Sequence, residues 1–62
     1  MLNEGSKIIV TEGMYKDRHG IVKVVVPDAP CCYGVKVEFR AGDGVLPPTV
    51  WYKEDQIKKR GE

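Results

Sequence analysis

Residues 33–40, YGVKVEFR, alternate strictly between apolar side chains and small or charged ones. A period of two is typical of a β-strand that is buried on one face and exposed on the other. The stretch therefore predicts a half-buried strand over Tyr33–Arg40 with one wholly apolar face. The side chains of this face are Tyr33, Val35, Val37 and Phe39.

The rest of the chain is divided by glycine and proline into short segments rich in valine and isoleucine. No segment has an apolar stripe of helical period and length, so strands are favoured throughout. A polar turn at 53–56 suits one turn of 3₁₀ helix. Further strands are predicted over Lys7–Thr11, His19–Val26, Thr49–Tyr52 and Ile57–Lys59, with either a bulge or strong coiling at Val24–Val26, where alternation breaks. The pattern indicates an all-β fold, a small five-stranded SH3-like barrel whose closure removes exposed strand edges.

The inward positions of these strands define a predicted core. Alternation allows only one of the adjacent pair Trp51 and Tyr52 to point inward, so the other is exposed or covered by a loop. The predicted core residues are Ile8, Val10, Val22, Val35, Val37, Phe39 and Ile57.

Length and charge restrict the classes of function. The 62 residues have room for one domain, 1–62, with a thin core. Ten lysines and arginines against nine aspartates and glutamates give a net charge of +1, so nucleic-acid binding would depend on a local patch. No apolar run approaches the about 18 residues of a membrane span, and no secretory signal is visible. The adjacent Cys31 and Cys32 favour free thiols and a cytoplasmic location.

Residues 5–22 read GSKIIVTEGMYKDRHGIV and contain a spaced set of glycine, β-branched and basic residues. The set comprises Gly5, Ile8, Val10, Gly13, Lys16, Gly20 and Val22. This pattern resembles the KOW motif of a ribosomal large-subunit protein and of NusG-type transcription elongation factors. The resemblance implies that Gly13 and Gly20 let the chain turn sharply. The sequence departs from the family at Asp17, where a glycine usually follows the lysine.

The resemblance also implies that the first hairpin contacts RNA or a protein partner. Basic side chains cluster there, although Glu12 and Asp17 dilute their charge and a merely solvated hairpin is the alternative. Exposed aromatic rings provide stacking platforms for bases or anchors for peptides. The predicted contact residues are Tyr15, Lys16, Arg18, His19, Lys23, Lys36, Arg40 and Trp51.

Catalysis finds little support, because no nucleophile elbow, phosphate loop or metal-ligand pair is present. Cys31, Cys32 and His19 lack the number and spacing of zinc ligands, so no metal or other cofactor is expected. The plasmid-type dihydrofolate reductase is also an SH3-like barrel and carries Val-Gln-Ile-Tyr on its active strand. This chain has TVWY at 49–52, without the glutamine.

Three hypotheses follow from the sequence. The first is a non-catalytic binding module, monomeric or a small homo-oligomer, that recognises RNA or a protein of the transcription or translation machinery. The second is an accessory subunit that docks on a larger protein assembly without nucleic acid. The third is a homo-oligomeric reductase. Salt-dependent RNA binding separates the first from the second, and oligomer size tests the third.

Overall fold

The computed structural model describes residues 2–28 and 31–61, which form five antiparallel strands and one short helical turn. The all-β class and the number of strands are therefore confirmed. Strand bounds agree with the sequence for the second and fifth strands and differ by one to three residues at an end of the others. The elements are β1 Lys7–Val10, β2 His19–Val26, β3 Cys32–Val37, β4 Val50–Lys53, a 3₁₀ turn Glu54–Gln56, and β5 Ile57–Lys59.

The strands form one sheet in the order β4-β3-β2-β1-β5. Closure into a barrel is the part of the fold prediction that is wrong, because β4 and β5 are the two edges of this sheet and do not pair with each other. The 3₁₀ turn Glu54–Gln56 carries the chain from one edge to the other. In this turn the Gln56 side chain accepts a hydrogen bond of 2.9 Å from the Lys53 backbone amide.

One face of the sheet, the inner face, holds the core. Hydrophobic burial on this face stabilises the fold, since each fully buried aliphatic side chain contributes roughly 1.5–3 kcal/mol. Six of the seven predicted core residues are buried, and the structure adds Leu2, Tyr33 and Tyr52 to them. The buried hydrophobic residues are Leu2, Ile8, Val10, Val22, Tyr33, Val35, Val37, Tyr52 and Ile57.

Phe39 is the predicted core residue that the structure places elsewhere, with 70% of its surface exposed. The cause is the end of β3 at Val37, which pairs with Gly20 near the start of β2. Beyond it only one backbone bond follows, from the Glu38 amide to the His19 carbonyl at 2.9 Å. With no further partner strand, the chain leaves the sheet and Phe39 turns outward.

Two glycines have roles that the backbone explains. Gly13 has a φ of 86°, as expected for a loop glycine that turns the chain. Gly20 lies within β2 and does not make a turn as expected. A Cβ atom there would lie 2.7 Å from Val35 Cγ1 and 3.0 Å from the Lys36 carbonyl oxygen, so close packing is what requires glycine. The bulge predicted in β2 is present, between Val22 and Val24.

Candidate binding surface on the outer sheet face

Charge is segregated between the sheet and its connections. The five strands contain six lysines and no aspartate or glutamate. Within residues 2–28 and 31–61, the eight acidic residues therefore lie in turns and loops. The net charge of the chain is only +1, but the charged side chains of its strands are all basic. Binding to a polyanion needs a local basic patch of this kind.

Strand pairing assigns most of these lysines to one face, because directly paired residues of neighbouring strands point to the same side. The outer face is opposite the core and consists of four cross-strand rows. The rows are Lys58–Ile9–His19, Lys7–Ile21–Lys36, Val24–Gly34–Trp51 and Val26–Cys32–Lys53. Lys23 lies at the bulge beside them and is also exposed. The outer face therefore carries lysines on all five strands or beside them, apolar residues on its inner strands, and an aromatic ring, Trp51, on the edge strand β4.

Trp51 is the exposed member of the aromatic pair on β4. Tyr52 is buried on the inner face, whereas 54% of Trp51 is exposed on the outer face. A Cβ atom on Gly34 would lie 3.2 Å from Cη2 and Cζ3 of Trp51. The six-membered ring therefore lies over the backbone of the neighbouring strand, in the space that the missing Gly34 side chain leaves.

An open groove of about 710 Å³ runs along the outer face beside β2 and β3. Its walls combine apolar residues with three charged ones, Lys23, Lys36 and Glu38, so the basic residues outnumber the acidic one. The apolar residues that line it are Ile21, Val37, Phe39, Leu46, Pro47 and Pro48. Phe39, whose burial was wrongly predicted, is thus part of a surface groove formed with the loop that precedes β4.

Arg18 has an internal partner. Its guanidinium forms an ion pair with the Asp43 carboxylate and also donates to the Glu38 carbonyl oxygen at 3.1 Å. The Arg18 and Asp43 side chains are only 13% and 15% exposed. This pair joins the loop before β2 to the loop after β3. For Arg18 to bind a phosphate, as expected from the sequence, its guanidinium would have to break the ion pair with Asp43.

The Arg18–Asp43 pair makes stability depend on pH. Hydrogen bonds from the Arg18 guanidinium and the Arg40 backbone amide hold the pKa of Asp43 below its ordinary value. A lowered native-state pKa stabilises the fold fully above the unfolded-state pKa of about 3.9, and this contribution is lost as pH falls through the native-state pKa. We therefore expect Asp43→Asn to lower the urea midpoint at about pH 7 and to differ little from the unchanged protein at about pH 2.

Asp28→Asn is the matched control. It is the same substitution, but Asp28 is exposed and is not part of the Arg18–Asp43 pair. Its urea midpoint should follow that of the unchanged protein at both pH values. Equal losses in the two variants at neutral pH would contradict the role given to Arg18 and Asp43.

His19 belongs to a small surface cluster at the end of the sheet. Arg60 donates a hydrogen bond to His19 Nδ1 at 2.6 Å and lies 3.7 Å from a carboxylate oxygen of Glu38. The other Glu38 oxygen is 4.0 Å from His19 Nδ1. The Nδ1 atom is thus occupied, and Glu38 offsets the charge of Arg60.

The remaining predicted contact residues are spread over different parts of the molecule. Lys16 is exposed on the loop before β2, and Tyr15 is half-buried against the core. Arg40 is exposed in the loop after β3, beside Asp43. The structure therefore places His19, Lys23, Lys36 and Trp51 on or beside the outer face. The other predicted contact residues lie outside it: Tyr15, Lys16, Arg18 and Arg40.

Two tyrosines are buried and have altered acidity. The Cys31 thiol, followed by burial, raises the pKa of Tyr33. Its hydroxyl forms no hydrogen bond of normal geometry with the part of the chain that the structure describes. Burial, followed by the neighbouring Tyr15, raises the pKa of Tyr52. Both rings serve the core and stay neutral at physiological pH, so neither is available as a stacking platform.

Cys31 and Cys32 are half-buried, and neither forms a disulfide bond. Within residues 2–28 and 31–61, no group of three or more histidine, cysteine, aspartate or glutamate side chains has the geometry to hold a metal ion. In the same part of the chain no helix is long and apolar enough to cross a membrane.

Comparisons of the chain with protein families, with curated proteins and with solved structures give no match. The residues of the outer face are therefore the basis for inferring a function.

Proposed function

We propose that the protein is a non-catalytic, KOW-like module that binds RNA of the transcription or translation machinery through the outer face of its sheet. The observation that carries this proposal is the composition of that face, where all ionic side chains of the strands are basic and Trp51 is half-exposed among them. Lysines contact phosphates, and an exposed aromatic ring stacks on a base.

The backbone of the first loop supports the KOW resemblance. Asp17 stands where the family usually has glycine, and it has a φ of 70°. This left-handed conformation is the one that glycine adopts most readily, and aspartate tolerates it better than most residues. The position therefore keeps the glycine-like geometry although the residue differs.

Charge reversal on the outer face tests the proposal. Lys23→Glu with Lys36→Glu should weaken RNA binding at low salt and reduce the slope of log K against log salt by about one unit for each lost phosphate contact. Fluorescence anisotropy with labelled RNA over a salt series measures both effects. Both lysines are exposed, so the double variant should keep its fold.

Lys16→Glu is the control, with the same type of charge reversal at a single position on the exposed loop before β2, to be compared with each outer-face reversal made singly. It should leave the salt slope close to that of the unchanged protein. A larger loss for Lys16→Glu than for the outer-face variant would move the site to the hairpin loop. Absence of RNA binding at low salt would reject the proposal.

The groove favours a second candidate, docking to a protein. Phe39, Leu46 and the two prolines give it an apolar wall of the type that anchors peptides. A protein partner would bind with little dependence on salt and would lose affinity on Phe39→Ala rather than on charge reversal. This candidate replaces RNA binding if the anisotropy measurements detect no complex.

A further inference from the structure

The ring of Trp51 and the groove are neighbours on the outer face. Thr49 follows the groove residue Pro48 along the chain, and its Cγ2 would lie 3.0 Å from a Cβ atom on Gly34. The Trp51 ring occupies the other side of the same glycine, 3.2 Å from that position. Thr49 therefore approaches the same glycine as the Trp51 ring and is joined through the backbone to the groove residue Pro48.

The Gly34 position determines how Trp51 presents its surface. Any side chain there would meet both Thr49 and the indole, and would lift the ring off the sheet. With glycine the ring lies down over the strand while 54% of its surface remains exposed. A ring held in this way offers a surface for stacking, and it loses little conformational freedom when a base covers it.

The groove matches the chemistry of a second nucleotide. Ile21, Phe39 and Pro47 form apolar walls for the faces of a base. Lys36 is in the cross-strand row next to that of Trp51 and also lines the groove, so this residue borders both features. A phosphate that links a base on Trp51 to a base in the groove would therefore meet Lys36.

From this arrangement we infer that the outer face binds two consecutive bases of an unpaired RNA strand, one on Trp51 and the next in the groove. The inference rests on the proposed RNA-binding function and specifies its substrate. In a duplex the faces of the bases are covered by their neighbours, so neither the ring nor the groove could reach them.

The chain contains one tryptophan, so its fluorescence reports stacking at this position alone. The probes are an unstructured uridine-rich RNA of about eight nucleotides, within the range of sites on small β domains, and a fully paired RNA stem of similar length. The single strand should quench Trp51 and bind at least about tenfold more tightly at low salt, equivalent to about 1.4 kcal/mol.

Phe39→Ala tests the second base. Phe39 is 70% exposed, so its removal should not unfold the domain. The variant should bind the single strand several-fold more weakly. Quenching of Trp51 by uridine monophosphate should be unchanged, because a single nucleotide needs only the Trp51 ring. Met14→Ala is the matched control, because Met14 is an exposed hydrophobic residue on the loop before β2. It should bind both probes like the unchanged protein.

The outcomes distinguish this inference from the proposed function. Equal affinity for the paired stem and the single strand, with unchanged fluorescence, would overturn the inference and leave RNA binding in place. Quenching by the single strand without an effect of Phe39→Ala would reject the second base. If neither RNA binds at low salt, the inference and the proposed function both fail.

Discussion

Replacement of Ile8 by alanine should lower the free energy of unfolding by about 2–5 kcal/mol. Ile8 is fully buried in β1, which lies between β2 and β5, and truncation would leave a cavity at the centre of the inner face. A domain of this length has a total stability of roughly 3–9 kcal/mol. The variant should therefore be largely unfolded at moderate urea concentrations where the unchanged protein is folded, as measured by urea titration with tryptophan fluorescence.

Ile9→Ala provides a control one residue away. Ile9 has the same side chain but belongs to the outer face, where it is only half-buried. Ile9→Ala should lower the free energy of unfolding clearly less than Ile8→Ala does. If Ile8→Ala fails to fold, Ile8→Val, with an expected cost of about 0.5–1.5 kcal/mol, keeps the comparison measurable. A greater cost at Ile9 than at Ile8 would show that the register of β1 is wrong.

Trp51→Ala should weaken binding of single-stranded RNA by about 5- to 150-fold, since stacking of one base contributes roughly 1–3 kcal/mol. The ring is half-exposed and outside the core, so the effect on the fold should be smaller than the effect on binding. Fluorescence anisotropy with labelled RNA measures the affinity. Circular dichroism of the same samples checks that the sheet is intact.

Trp51→Phe is the conservative partner of that variant. Phenylalanine keeps an aromatic face over Gly34 and should retain much of the affinity that alanine loses. If Trp51→Ala and Trp51→Phe both bind RNA with about the affinity of the unchanged protein, Trp51 does not contact the RNA. The lysines of the outer face would then act without a stacking ring.

The sequence predicted those parts of the fold that depend on local patterns. Alternation in β3 correctly placed Tyr33, Val35 and Val37 on one face, and valines at 24–26 correctly indicated a bulge. The alternation continues through Phe39, and burial was therefore wrongly predicted for this residue. A pattern of side chains in one strand does not reveal where the neighbouring strand begins. The start of β2 at His19 ends the pairing, and this is a property of two segments together.

The candidate site was only partly predictable for a similar reason. Trp51, Lys36 and Lys23 were identified from residue type and position in strands. Arg18 was expected to face a ligand, but its partner Asp43 is 25 residues away in a loop, and no local pattern links the two. The basic excess was already present in the predicted strands, which contain five lysines and Arg40 against Glu38 alone, but its placement on one face depends on how the strands pair.

The open sheet also bears on the behaviour of the protein at high concentration. An unpaired strand edge can pair with the edge of another molecule, and proteins limit this with lysine, proline or short edges. At one edge β5 has three residues, two of them lysines. At the other edge, β4 has one lysine, Lys53, after three apolar or aromatic residues. Pro47 and Pro48 lie shortly before this strand. Aggregation should therefore begin at β4, where a strand of four residues keeps each new ladder short.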